Sequence, residues 1–250
     1  MKKNKLPEDK LYWLGFSALE IGAKKLSLLL NFFKTAKKAY EANKTELLKI
    51  GLPEKDVSRL ISLRRKLNLN LHYIRLRENK VDCYFLDSSN YPKGLKNIDD
   101  PPFVIYCRGK MLKKDQKALA IVGSRRATFY GKSVAETFST ALVKNGFTIV
   151  SGLAYGIDTI SHKAALLAGG RTIAVLGSSI DCLYPSENKA LSEEICQSGA
   201  IISEYSLNVP PLQHHFPRRN RIVSGLSRGV IVVEAEEVSG ALITARIAGE

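Results

Sequence analysis

Residues 118–131 read ALAIVGSRRATFYG: five apolar residues, a glycine, a serine, two arginines and then the start of an amphipathic segment, KSVAETFSTALVKN, at 132–145. An unbroken apolar run of that kind is a strand buried on both faces, which requires helices on both sides of its sheet. The unit then repeats. FTIVSG (147–152) leads through LAYGID into TISHKAALLA (159–168), and RTIAVLG (171–177) leads through a long loop into SENKALSEEICQS (186–198). AIISEY (200–205) leads through a proline-rich loop into RRNRIVSGLS (218–227), and GVIVVEA (229–235) leads through EEVSG into ALITARIAGE (241–250). Strands alternating with helices predict an α/β fold: an extended Rossmann-like, doubly wound, mostly parallel sheet. A parallel sheet uses a helix such as the last one to cross to another strand, so this unit is expected to be incomplete at its C-terminal edge.

Upstream the rhythm differs. From Lys10 to Arg77 apolar residues recur at helical spacing in short segments punctuated by Gly15, Gly22 and Gly51, the pattern of a small helical domain. In LLKIGLPEKDVSRL (47–60), Gly51 separates a helix end from a new start at Pro53, the layout of a helix-hairpin-helix. Such a unit either offers backbone N–H groups to a phosphate or is a plain structural turn, and one copy favours the turn. The LRRK run at 63–66 reads as a solvated helix face. Turn formers around Tyr91-Pro92 and Pro101-Pro102 separate short extended runs at 81–86 and 103–107. The expected organisation is a helical domain over 1–80, a connecting segment over 81–110 and the Rossmann-like domain over 111–250.

The chain carries a formal net charge of +14, and residues 1–100 hold 21 Lys and Arg against 12 Asp and Glu. That balance favours a polyanionic partner. No window approaches the roughly 18 apolar residues of a membrane span, and the basic start lacks the apolar core of a signal peptide, so a cytoplasmic protein with no membrane partner is expected. Cys83, Cys107, Cys182 and Cys196 form no CxxC pair and the histidines show no HExxH spacing. The cysteines read as small buried thiols, and no metal is signalled. GxGxxG and GxxxxGK[ST] are both absent, so neither a dinucleotide cofactor nor P-loop hydrolysis is indicated.

In open α/β sheets the ligand lies beyond the carboxyl ends of the strands. There, Gly123, Ser124, Arg125 and Arg126 combine close backbone approach, a hydroxyl, a helix N-terminus and positive charge, a combination suited to phosphate. In the next loop Ser151, Gly152 and Gly156 suit a nest of backbone N–H groups, with Asp158 capping the following helix. Asp158 and His162 stand four apart: either an acid/base couple or a cap beside a hydrogen-bonded histidine. Phe216 in a polar loop suits base stacking, and Arg218, Arg219 and Arg221 begin a helix whose dipole opposes them unless an anion compensates. Asn220 suits a base edge or the backbone. Glu234, followed by Glu236 and Glu237, either orients a ribose or pairs with one of the arginines; the ion pair is preferred. Arg171 precedes its strand, so topology alone places it away from the binding edge.

Taken in order, VGSRRATFYG, SGLAYGIDTISHKAAL, GGRTIAVLG, LYPSEN, ISEY, HFPRRNRIVSGLSRGVIVVEA and SGALITA resemble the bacterial DNA-processing protein A (DprA or Smf) family. DSSNYPKGLKNIDDPPFVIYCRG is similar to the family segment before its Rossmann domain, and the N-terminal helices to its small SAM-like domain. The resemblance implies a non-catalytic, single-stranded DNA-binding protein that forms a homodimer, protects incoming DNA and helps load the RecA recombinase in natural transformation. It implies DNA contacts at Gly123, Ser124 and Arg125, at Arg171 after the double glycine, and at Phe216, Pro217, Arg218, Asn220 and Arg221. The rival reading is a nucleotide-processing phosphoribohydrolase on a similar core, with Glu234 and Asp158 as acid and base, although its PGGxGTxxE motif is missing. A duplex binder acting through the basic N-terminal region is the third.

Overall fold

The computed structural model describes residues 6–236 and 239–249; Glu237 lies outside them. Among the described residues six helices come first: α1 (Glu8–Ala18), α2 (Ala23–Phe33), α3 (Ala36–Glu41), α4 (Lys44–Lys49), α5 (Glu54–Arg64) and α6 (Leu69–Glu78). Their starts follow local chemistry. Thr35 caps α3, Asn68 caps α6, and Asn43 with Glu46 forms a reciprocal capping box on α4. Gly51, at φ +82°, closes α4 and Pro53 opens α5 as expected. Glu54 and Asp56 occupy the first turn of α5, so its N-terminus already carries negative charge. The 63–66 run is not wholly solvated: Arg64 turns inward and donates to the carbonyls of Tyr40 and Ala42, while Arg65 and Lys66 stay exposed.

The next elements are β1 (Asp82–Phe85), α7 (Lys93–Lys96) and β2 (Val104–Gly109), followed by β3 (Ala118–Gly123), α8 (Phe129–Lys144), β4 (Thr148–Ser151), α9 (Ile157–Leu167) and β5 (Thr172–Val175). α10 (Lys189–Ser198), β6 (Ala200–Ser203), α11 (His215–Gly225), β7 (Val230–Val233) and α12 (Gly240–Gly249) complete the chain. One sheet of seven strands has the order β1-β2-β6-β5-β4-β3-β7. The five strands from β6 to β7 are parallel, and β2 and β1 add antiparallel at the other side, Tyr106 opposite Ser203 and Asp82 opposite Cys107. The segment expected as a connection thus supplies two strands of the sheet.

Period-two alternation sends Ile121 and Ile149 to the face covered by α8 and α9, and Ala120, Val122, Val150 and Ile173 to the face covered by α11 and α12. The first face continues into the helical region, whose Trp13, Phe16 and Leu76 share a core with Phe103, Tyr106, Leu191 and Ile201. Polar contacts tie the same junction, Tyr106 donating to Ser17 at 2.9 Å and Ser206 meeting His72 Nε2 at 3.0 Å. From β3 to β6 the chain steps outward along the sheet, and β7 then returns to the other side of β3. That reversal leaves a crevice above the carboxyl ends of β3, β4 and β7.

Candidate nucleic-acid interface

A groove of about 740 Å³ occupies this crevice, walled by the turn after β3, the loop after β4, the first turns of α11 and the start of α12. Each wall follows from local sequence. After Gly123 the chain turns sharply: Ser124 Oγ accepts from the Arg126 backbone N–H at 3.1 Å, and the Ser124 carbonyl accepts from Ile157 N at 3.1 Å. Gly156, at φ +71°, lies so close beneath this turn that a Cβ would collide with the Ser124 carbonyl. The packing pushes Arg125 and Arg126 outward. Both are exposed, and neither guanidinium has a carboxylate within ion-pair distance among the described residues. Arg125 lies 5.4 Å from the centre of the Phe216 ring, a cation–π arrangement.

Phe216 belongs to a longer aromatic row. Its ring is 5.8 Å from that of Tyr184, which is 6.4 Å from that of Tyr155. Tyr184 is 42% exposed and Tyr155 37%. Tyr184 belongs to the LYPSEN motif, but its approach to Phe216 is not readable from the sequence, because it joins loops from different strands. Gly177 makes the seat for Phe216: a Cβ there would lie 2.9 Å from the ring.

The second loop differs from its expected role. Two of its amides are filled from within, since Asp158 Oδ2 accepts from Gly152 N at 3.0 Å and Ala154 N at 3.3 Å. Ser151 is buried and donates to the Ile121 carbonyl at 2.6 Å, so its hydroxyl does not reach the groove. The acid/base couple does not form. His162 Nδ1 donates to Thr172 Oγ1 at 2.6 Å, because that hydroxyl gives its own proton to the Ile149 carbonyl at 2.8 Å. Burial drives the imidazole pKa down to about 3, so the ring is neutral. Burial pushes the Asp158 carboxyl up, opposed by the Arg219 charge and the loop amides.

The FPRRNR segment is divided between two sides of one helix. α11 begins at His215, placing Pro217 inside its first turn, where a proline needs no N–H partner. The arginines therefore lie beyond the N-terminal amides. Arg219 is the one that faces the groove; it is 6% exposed, and its Nη1 donates to the carbonyls of Gly152 (2.7 Å) and Val175. Asn220 reaches backbone, donating to the Gly240 carbonyl at 3.0 Å. Arg218 and Arg221 lie on the opposite side of α11, in a separate cleft of about 320 Å³ beside the N-terminal helices. There Arg221 grips Glu204 through two hydrogen bonds of 3.0 and 2.7 Å, and Arg218 stands 3.6 Å from the same carboxylate and 3.8 Å from Asp100. Their compensating anion is internal.

Among the described residues Glu234 pairs with no arginine. Its carboxylate accepts from Thr128 N at 2.8 Å and from the Thr128 hydroxyl, and these bonds hold it well below the usual carboxylate range. Arg171 lies at the opposite edge of the sheet, as topology required. It bonds both oxygens of Asp115, at 2.7 and 2.8 Å, and the carbonyls of Lys110 and Ser198, so the contact implied by resemblance is not brought to the groove. Among the described residues no group of three His, Cys, Asp or Glu is placed to hold a metal ion, and no helix is long and apolar enough to cross a membrane. All four cysteines are free, and only Cys107 is fully buried.

Comparison with known proteins bears on the same elements. The family model of DNA recombination-mediator protein A matches residues 82–250. Protein Smf of Synechocystis sp. is 39% identical over 249 residues, which is 97% of this chain and 62% of that protein, so the chain spans less than two thirds of this relative's length. The X-ray structure of DNA processing protein A from Streptococcus pneumoniae superposes with a TM-score of 0.80 at 33% identity, over 98% of this chain and 84% of that one. DNA processing protein A from Helicobacter pylori, described for its single-stranded DNA binding mode, superposes with a TM-score of 0.62 at 38% identity, over 68% of this chain and 76% of that one. Since the matched region runs from β1 to α12 and takes in every loop that walls the groove, the chain belongs to the DNA recombination-mediator protein A family.

Proposed function

We propose that this chain binds single-stranded DNA along the groove and performs no chemistry on it. The observation that carries the reading is Arg125, without a carboxylate partner among the described residues and set over the face of Phe216 at one end of the Phe216-Tyr184-Tyr155 row. Exposed cations beside a row of ring faces suit a flexible polyanion whose bases are free to stack. Phosphates meet the Ser124–Arg126 turn and the start of α8; bases meet Phe216 and Tyr184. The relative from Helicobacter pylori, whose structure is described for single-stranded DNA binding, supports the same ligand.

The phosphoribohydrolase alternative loses its two carboxylates. Asp158 is buried and committed to two loop amides, and Glu234 is committed to Thr128. Family membership supports the wider role: a homodimer in the cytoplasm that protects incoming strands and helps load RecA on them during recombination. Fluorescence polarisation with labelled oligothymidine tests the core of this reading. Binding at low salt that weakens steeply as salt rises is expected, and equal affinity for a duplex of the same length would overturn it.

A further inference from the structure

The groove leaves the two aromatic residues after its basic turn unexplained. Phe129 is 89% exposed and Tyr130 74%, whereas the next most exposed aromatic among the described residues, Phe32, stands at 56%. Neither ring stacks on another ring or on a cation among those residues.

Their frame is rigid. Thr128 caps α8 by accepting from Gly131 N at 3.2 Å, and its own N–H and hydroxyl are held by the Glu234 carboxylate. Glu234 sits at φ +53°, and a Cβ on Gly131 would collide with its carboxylate. The end of β7 is therefore clipped to the start of α8 around an inward-turned acid. Phe129 and Tyr130, the first two residues of that helix, are left facing water. Arg125 and Arg126 precede them and Lys132 follows; all three are exposed and make no ion pair among the described residues. Interleaved rings and unpaired cations fit a single strand, which presents alternating π-faces and phosphates. A second copy docking through this same patch would instead set these three cations against their own counterparts.

We propose that Phe129 and Tyr130 form a second stacking platform for single-stranded DNA outside the groove, so that the bound strand runs from Phe216 past Arg125 and Arg126 onto the first turn of α8. The platform rests on the single-strand reading of the groove. Polarisation measurements with labelled oligothymidines of about 6 and about 25 nucleotides separate the two, using the full chain, Arg125→Ala and the double variant Phe129→Ser, Tyr130→Ser. The double variant is expected to bind the short oligomer like the parent and to lose about tenfold or more on the long one, with Phe129→Tyr, Tyr130→Phe restoring it. Arg125→Ala weakens both. Unchanged long-oligomer affinity in the double variant, with Arg125→Ala still weakened, refutes the platform and leaves the groove standing. A parent chain that binds neither oligomer overturns the groove reading and the platform with it. A drop in sedimenting mass in the double variant, with DNA affinity intact, shows instead that the pair is a self-association surface.

Discussion

The loops after β3 and β4 both lead from a buried strand past glycine into a helix, and they end in opposite electrostatic states. After β3 the turn is closed by a neutral serine, and two arginines are left without a carboxylate among the described residues. After β4 the helix supplies Asp158, which bends back and fills the amides of Gly152 and Ala154. A glycine-borne nest is an anion site only if the chain's own carboxylate does not reach it first. One residue, a single turn into the helix, decides. The same contrast divides α11: Arg219 lies beneath the groove, whereas Arg218 and Arg221 face Glu204 and Asp100 on the other side.

The largest effect should come from breaking the closed side. Arg219→Ala leaves the Gly152 and Val175 carbonyls without their donor and Asp158 without its positive neighbour, all in a buried site, and is expected to lower stability by about 3 to 5 kcal/mol in urea denaturation. Arg218 is 45% exposed and its two carboxylates stand beyond hydrogen-bond distance. Arg218→Ala should therefore cost about 1 kcal/mol or less. Equal losses in the two variants would remove the distinction between the sides of α11.

Acid should expose the same interior. The His162 pKa is lowered from 6.5 to about 3 in the folded chain by burial. Below pH 6.5 the unfolded chain takes up a proton that the folded chain refuses, so stability is fully present above that pH and falls as the pH drops toward 3. One such group contributes a slope of about 1.4 kcal/mol per pH unit. His72 and His215, lowered in the same direction by burial, add to it. Replacing His162 by asparagine should flatten the measured stability profile between these limits, and an unaltered slope would show that the ring is hydrated.

Much of this was legible in the chain. Buried apolar runs repeated between amphipathic segments fixed the parallel strands, and the extended runs at 81–86 and 103–107 became β1 and β2. The order that sets β2 beside β6 was not legible, because a pairing between residues as distant as Tyr106 and Ser203 leaves no local pattern. At the site, the basic turn and Phe216 were visible as residue types suited to their place. Arg218 and Arg219 were not distinguishable. Neighbouring helical residues point about 100° apart, and only the start of α11 at His215 sets the phase. Asp158 was misread for a related reason: a carboxylate in a first turn can bond its own helix or bend back to the preceding loop, and the loop's shape selects.

The smallest effect sharpens the contrast most. Arg125 and Arg171 are both basic residues next to glycine-bearing segments, yet one guanidinium has no carboxylate partner among the described residues and the other is held by Asp115 and two carbonyls. Arg125→Ala should weaken oligothymidine binding by about tenfold, about 1.4 kcal/mol, and reduce the salt slope by about 0.7, the counterion equivalent of one phosphate on a single strand. Arg171→Ala should leave both the affinity and the slope unchanged, and act on melting temperature alone. A reduced slope in Arg171→Ala would mean that a phosphate reaches the amino-terminal edge of the sheet, and the strand's path would then have to leave the groove and pass around β5.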